Sequence, residues 1–391
     1  MPRLRWLTAG ESHGPALLCI VDGVPAGLAL RAADVDADLA RRQRGYGRGG
    51  RMKIEHDVVA LEAGVRGGET LGSPIGLRIV NRDFANWQGR MGPEPFDAPP
   101  EPVTAPRPGH ADLAGALKYD RDDLRDVLER ASARETAARV AAGAIARQVL
   151  RACGVAVRSR VRSIGEVRDP SEPGPEQWVR DGALAARVEA SSLRVLDDGA
   201  EEAMRAAILA ASHDGDTLGG IVEAVAVGVV PGLGTYVQWD RRLDGRLAQA
   251  ALSIPAIKAV EVGDGWSAAG LRGSAVHDAI GHDGERFTRA TNRAGGLEGG
   301  VTNGQPLVLR AAMKPISTLR RALPSADLRT HAAVSANTER SDVCAVPAAG
   351  VVLEAMLCLT LAGEYLDTFG GDALADTVRN LEGYRARVAR R

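Results

Sequence analysis

The 391-residue sequence is nearly without lysine: arginine supplies 45 of its 49 positive side chains, leaving Lys53, Lys118, Lys258 and Lys314. A GC-rich genome is the simplest cause. Lysines that persist under such a bias are candidates for a specific role, above all Lys314 in Lys314-Pro315-Ile316-Ser317-Thr318. Net charge is also scarce. A formal total of -1 excludes a surface built as a whole to coat nucleic acid or an anionic membrane, so anion recognition must be local. Cysteine is sparse, and Cys19, Cys153, Cys344 and Cys358 have neither metal-knuckle nor redox-pair spacing. That spacing gives no metal site and reads as buried thiols in a reducing cytoplasm. No apolar run approaches the roughly 20 residues of a membrane span, and Met1 leads directly into a strand-like stretch without a signal peptide. What is present, 45% hydrophobic residues, is ample for the core of a globular chain.

Apolar alternation and short apolar runs predict strands at 4–8, 16–21, 58–62, 76–80, 221–230 and 307–311. Helical spacing covers 33–44, 111–118, 135–153, 201–212, 243–253 and 348–369, the last with Pro347 in its first turn and Gly370-Gly371 as its stop. Mixed elements of this kind argue α+β or α/β. Gly68-Glu69-Thr70-Leu71-Gly72-Ser73 and Gly215-Asp216-Thr217-Leu218-Gly219-Gly220 resemble each other, and each precedes a strand candidate, which suggests a duplicated β-rich unit. The stretch 92–110 carries seven prolines and 169–175 three more. Both read as functional loops on a single large domain, 1–391, rather than as linkers.

Ser132 followed by Glu135 has capping-box spacing, so a helix N-terminus is expected there, with Arg130 and Arg134 beside it. Unpaired backbone N–H groups, a partial positive charge and two guanidinium groups make a phosphate site. The blander reading is an ordinary capped helix whose arginines face water. Gly45, Gly47 and Gly50 fit G-x-G-x-x-G, yet 38–44 reads as helix where a dinucleotide fold needs a strand. The same region gathers Arg41, Arg42, Arg44, Arg48, Arg51 and Lys53, which suits a solvated charge run, an RNA contact or a loop folded onto phosphates and carboxylates.

His13, in Gly10-Glu11-Ser12-His13-Gly14, and His110, in Arg107-Pro108-Gly109-His110, sit in glycine-flanked turns with arginines nearby and are candidates for proton transfer. His56, His213, His277, His282 and His331 read as structural or exposed. No serine combines an elbow with a paired base, which excludes a serine hydrolase. In Arg340-Ser341-Asp342, the carboxylate is ordinarily a cap or an ion-pair partner, and among cations it can serve as a base.

The stretches 10–14, 41–54, 107–112, 129–144, 214–222, 291–306, 314–318 and 340–352, in that order, resemble the chorismate synthase family. The resemblance implies an α+β fold, a β-α-β sandwich with long central helices between antiparallel sheets, assembled as a cytoplasmic homotetramer. It implies a lyase at the last step of the shikimate pathway, an anti-1,4-elimination of phosphate from 5-enolpyruvylshikimate 3-phosphate to give chorismate. Reduced FMN is required without net redox change, and NADPH is the candidate reductant if the chain reduces its own flavin. The substrate's two carboxylates and phosphate call for fixed cations, and by resemblance these are Arg42, Arg48, Arg107, Arg134 and Arg340, with Arg42 and Arg48 also the positions for NADP. Flavin positions are Arg130, Ala131, Ser132, Pro255, Ala256, Gly300, Lys314, Pro315, Ile316, Ser317, Thr318 and Arg340. In the family scheme His13 protonates the departing phosphate, His110 protonates the reduced flavin, and Asp342 serves flavin N5. No metal, nucleic acid or membrane enters. Ala259, His213 and Glu339 depart from the family pattern and bear on local ligand geometry. A flavin-dependent oxidoreductase would use the same phosphate features but consume reductant, and an RNA-binding protein would use 41–53 without needing His13, His110 or Asp342.

Overall fold

In a computed structural model describing residues 3–49, 55–339 and 341–391, the chain opens with β1 (Arg5–Ala9), β2 (Ala16–Asp22), α1 (Ala32–Gln43), β3 (Val59–Ala63) and β4 (Ile75–Val80). The four strands form one antiparallel sheet in the order β1-β2-β4-β3. In β2, Leu17, Cys19 and Val21 are buried while Leu18 and Ile20 stay exposed, the period of two that a sheet covered on one face imposes. Two short helices, α2 (Asp112–Tyr119) and α3 (Arg125–Ala131), then lead into α4 (Thr136–Ala152).

The second half repeats this plan. It runs through β5 (Ala156–Ile164), β6 (Val167–Arg168), α5 (Asp198–His213), β7 (Gly220–Val227), α6 (Leu243–Leu252), β8 (Ile257–Val262) and β9 (Leu307–Met313) to α7 (Val346–Phe369) and α8 (Leu374–Val388). Its strands form an antiparallel sheet in the order β8-β9-β7-β5-β6. Each sheet is thus followed by a long helix, and α4 and α7 pack on each other, α4 against β2 and α7 against β5 and β7. The result is the sandwich of sheet, helices and sheet that the resemblance implies. The helices approach closely because α4 is lined with Ala137, Ala138, Ala141, Ala142 and Gly143. A Cβ on Gly143 would lie 2.4 Å from the Cβ of Ala355, so any side chain there would force the helices apart.

The hydropathy reading needs one correction. The helix Val346–Phe369 is long and apolar enough to cross a membrane, with mean hydropathy 1.8, but 94% of that window is buried in the fold. A helix apolar on all sides fits a two-sided core as well as it fits lipid. The two related hexapeptides stand at equivalent places, each leading into an inner strand, β4 or β7. Their threonines play the same part: Thr70 Oγ1 donates to the Pro25 carbonyl at 2.6 Å and Thr217 Oγ1 to the Ile316 carbonyl at 2.7 Å, both from buried positions.

Candidate active site

Ser132 caps the helix start as its spacing predicts, its Oγ accepting from the Arg134 N–H at 3.3 Å. The capping box does not close. Glu135 instead accepts from Thr8 Oγ1 at 2.8 Å and from Arg139, one turn on, at 2.9 Å. A 3-10 turn, Ala133–Glu135, precedes α4 proper.

This turn sends Arg134 inward. Its Nε donates to Asn81 Oδ1 at 3.0 Å and its Nη1 to Asp57 Oδ1 at 2.6 Å, while Nη2 is buried with no hydrogen-bond partner among the described residues. Arg42, in the last turn of α1, takes the other oxygen of Asp57 at 3.2 Å and donates to Thr136 Oγ1 at 3.0 Å. Burial pulls the Arg42 guanidinium down to about 10, with Asp57 opposing and Arg134 and Arg48 adding to the fall. Two buried guanidinium groups therefore share one carboxylate whose side chain is 0% exposed. Such a pair retains positive charge, and an unmet buried N–H costs about 1–3 kcal/mol, so an anionic ligand suits it.

Asn81 links this pair to His13, because its amide nitrogen donates to the carbonyls of Glu11 and Gly14. The His13 ring stacks on Trp87, centroids 4.0 Å apart, and its Nδ1 lies 2.9 and 3.0 Å from the two oxygens of Glu129. Arg125 donates to Glu129 at 2.9 Å and also meets Glu339, one of the departures from the family pattern, at 3.6 Å. Ser132 and Ser12 touch through their hydroxyls at 3.2 Å, which joins the helix start to the histidine turn.

A second group forms around His110. Asp112, the first residue of α2, receives Arg107 Nε at 2.8 Å and Nη2 at 3.0 Å, and its Oδ1 lies 2.5 Å from His110 Nδ1. Burial alone would push the Asp112 carboxyl up, but hydrogen bonds from His110 and Arg107 hold it well below the usual carboxylate range. Arg107 Nη1 reaches Thr318 Oγ1 at 2.9 Å, and Lys314 Nζ donates to the Gly109 carbonyl. The turn 107–112 and the segment 314–318 thus form one unit, and the Lys314 N–H adds Ala256 by donating to its carbonyl at 2.9 Å.

Asp342 accepts from the Gly49 N–H at 2.6 Å and pairs with Arg48 at 3.2 Å. The glycine-rich loop can lie on this segment because it has no side chain at the point of contact: a Cβ on Gly49 would stand 3.0 Å from the Ser341 carbonyl. Arg130 clips the first strand, donating to the carbonyls of Thr8 and Gly10. Gly300 accepts from the Leu243 N–H at 3.0 Å at the start of α6, and Pro255 and Ala256 follow that helix's end. Gly50, Arg51, Lys53 and Arg340 lie outside the described residues.

Arg41 itself is no part of a solvated run or RNA contact. Its guanidinium turns inward onto Glu354, Glu189 and Asp38 at 2.7–3.1 Å. The sequence reading missed Asp57, Glu129, Asp112, Asn81, Thr136 and Trp87. Asp112 and Glu129 fell within stretches already singled out, two residues after His110 and one before Arg130. Asp57 carried no local signal.

A family model described as chorismate synthase matches residues 4–366. The chorismate synthase of Symbiobacterium thermophilum is 55% identical over 99% of this chain and 100% of its own length. That of Syntrophotalea carbinolica is 53% identical over 100% of both. A crystal structure of chorismate synthase superposes with a TM-score of 0.80 at 40% identity, covering 99% of each chain.

Proposed function

From the premise that the chain belongs to the chorismate synthase family, we propose how its residues perform that family's reaction, the anti-1,4-elimination of phosphate from 5-enolpyruvylshikimate 3-phosphate to chorismate. It is a lyase of aromatic amino acid biosynthesis. The observation that carries the assignment of residues is the buried Arg42–Asp57–Arg134 triad, with an Arg134 N–H that no described residue meets. Arg134, Arg42, Arg48 and Arg107 hold the substrate's anionic groups, and Arg340 joins them by its place in the motif. His13 carries a proton to the departing phosphate. Arg42, closed in by Thr136 and Asp57, suits the substrate better than NADP.

The donor set fits a flavin mononucleotide. Lys314, Ser317 and Thr318 stand beside the 107–112 turn, Arg130, Ala131 and Ser132 form a capped turn of their own, and Pro255, Ala256, Pro315 and Ile316 would supply backbone and apolar surface. Reduced FMN, when bound, lends and recovers an electron, so that a ring hydrogen of low acidity is lost without net oxidation. His110 holds a proton at the flavin segment, and Asp342, aimed by Gly49 and Arg48, is the carboxylate that would serve the flavin's N5. We read residues 1–391 as one catalytic domain in a cytoplasmic homotetramer. Support for assembly comes from the open face of the first sheet, where Leu7, Ile20, Leu18 and Val80 are exposed and Leu7 stands opposite Ile20. Patches of this kind mark association surfaces.

The test is an anaerobic assay with chemically reduced FMN. Chorismate and phosphate should appear in equal amounts with the flavin unconsumed. Flavin oxidation in step with turnover would transfer the chain to the oxidoreductases. Repeating the assay with oxidised FMN and NADPH tells whether the chain reduces its own cofactor.

A further inference from the structure

We propose that Glu129 and Asp112 are paired positioning residues, each fixing the ring of one proton-carrying histidine in the Nδ1–H form so that Nε2 faces the reacting ligands. This rests on the reading of His13 and His110 as proton carriers. Both carboxylates are only 1% exposed, and neither is explained by packing, since a buried charge without partners is costly.

At His13, Nδ1 is 2.9 Å from Glu129 Oε2, which also receives the His13 main-chain N–H at 2.8 Å. Burial would push Glu129 up, and the hydrogen bond and charge of His13, then the charge of Arg125, bring it below its ordinary value. An ionised carboxylate can only accept, so Nδ1 must donate. The ring cannot easily turn over, because Trp87 lies flat on it. Among the described residues, the other charged groups near the ring are Arg125 and Arg90, 5.0 and 5.9 Å from the Trp87 ring centre, Glu339 on Arg125, and Glu11 in the same turn.

At His110 two neighbours compete for Nδ1, Asp112 Oδ1 at 2.5 Å and Arg107 Nη2 at 3.1 Å. Arginine does not deprotonate, so the Arg107 contact would be a hydrogen bond only if Nδ1 carried a lone pair. That lone pair would then face an anionic oxygen at the shorter distance. Donation from Nδ1 to Asp112 removes the conflict and leaves Nε2 as the working nitrogen. Among the described residues, Lys314, on the Gly109 carbonyl, is a further cation at this turn.

The two carboxylates differ in one respect. Glu129 serves His13 and Arg125, whereas Asp112 also grips Arg107 through Nε, Nη2 and the main-chain N–H. Loss of Glu129 should therefore affect turnover alone, and loss of Asp112 both turnover and substrate affinity.

The first test needs no substitution in the positioning pair. In the full chain labelled with 15N-histidine and assigned through His13→Ala and His110→Ala, nitrogen shifts of the neutral rings should report Nδ1–H for both. An Nε2–H tautomer at either histidine overturns the proposal there, whether or not that histidine moves protons. Undiminished turnover in His13→Ala and His110→Ala would instead overturn the reading on which it rests. The second test is kinetic: Glu129→Gln should lower kcat about tenfold or more with KM within about twofold, and Asp112→Asn should lower kcat and raise KM. A lowered melting temperature with unchanged kcat in either variant assigns that carboxylate to the fold alone. If either variant fails to fold, the tautomer measurement on the parent chain still decides.

Discussion

Replacing Asp57 with asparagine should destabilise the empty protein and at the same time make it hungrier for anions. Asp57 is the shared counter-ion of Arg42 and Arg134, at 3.2 and 2.6 Å, with no exposed side-chain surface. Removing one partner of a buried ion pair costs about 3–5 kcal/mol. Asparagine keeps one acceptor oxygen, and Arg42 and Arg134 keep Thr136 and Asn81, so the low end, about 3 kcal/mol, is expected. In a chain of 391 residues that is a fall of roughly 3–5 °C in melting temperature.

Phosphate should restore more stability to the variant than to the parent, because it supplies the charge that Asp57 supplied. A ligand at about 100 times its dissociation constant adds about 2.7 kcal/mol. Thermal melts of both proteins with phosphate, against chloride at equal ionic strength to remove general screening, measure the difference. With substrate, KM should fall and kcat should fall with it, since tighter grip on the ground state does not speed elimination. If Asp57→Asn melts within about 1 °C of the parent, a small part of the expected shift, and responds equally to phosphate, the arginine pair is not short of negative charge and the substrate assignment built on it is wrong.

Ser132→Ala should lose about 1 kcal/mol of stability as a missing helix cap but weaken FMN further than that, measured by flavin fluorescence against melting temperature; equal flavin affinity would leave Ser132 a cap and nothing more. Glu354 is held well below the usual carboxylate range, burial opposing and Arg41 and Arg147 prevailing. A depressed folded-state pKa gives stability that is complete above the unfolded value, about 4.3, and lost as pH falls below it. Glu354→Gln should therefore melt lower at neutral pH and lose less stability than the parent on acidification, and an unchanged acid slope would place that lability elsewhere.

Much of the site was legible because its residues lie in turns whose glycines and arginines mark them locally: His13, His110, Arg134 and Asp342 all came from such stretches. Their partners were not legible, since Asp57, Glu129 and Asn81 meet them across 77, 116 and 53 residues of intervening chain. Strand β5 was missed for a related reason. Ala156-Val157-Arg158-Ser159-Arg160-Val161-Arg162-Ser163-Ile164 looks like a solvated segment, yet Arg160 is 1% exposed and pairs with Glu223 on β7 at 2.9 Å. Local polarity reports burial only when the counter-charge is also local. Helix α8 was missed because it buries little, Thr377 and Leu381 alone among its fifteen residues, so its apolar stripe is too thin to read.

Arg41 and Arg42 make the same point within two adjacent residues. One turns to Glu354, in the middle of α7, where Arg147 of α4, Ser159 of β5 and Arg194 also converge at 2.6–3.3 Å. The other turns to Asp57 and the candidate substrate site. Consecutive helix positions differ by about 100° around the axis, so the rotation that satisfies Arg41 determines where Arg42 can reach. Replacing a buried ion cluster as a whole with apolar residues is often neutral or even stabilising, although removing one partner of it is not, so stability alone does not explain why this helix contact is ionic. A directional charge network constrains the rotation of α1 against α7 more narrowly than an apolar contact does, since the Arg41 N–H groups here meet acceptors on Asp38 and Glu354. The glycine loop that carries Arg48 leaves the same end of α1 and folds onto Asp342 just before α7 begins. The buried cluster and the candidate site are thus two faces of one helix end, and the arginines of the second face are aimed by the acid of the first.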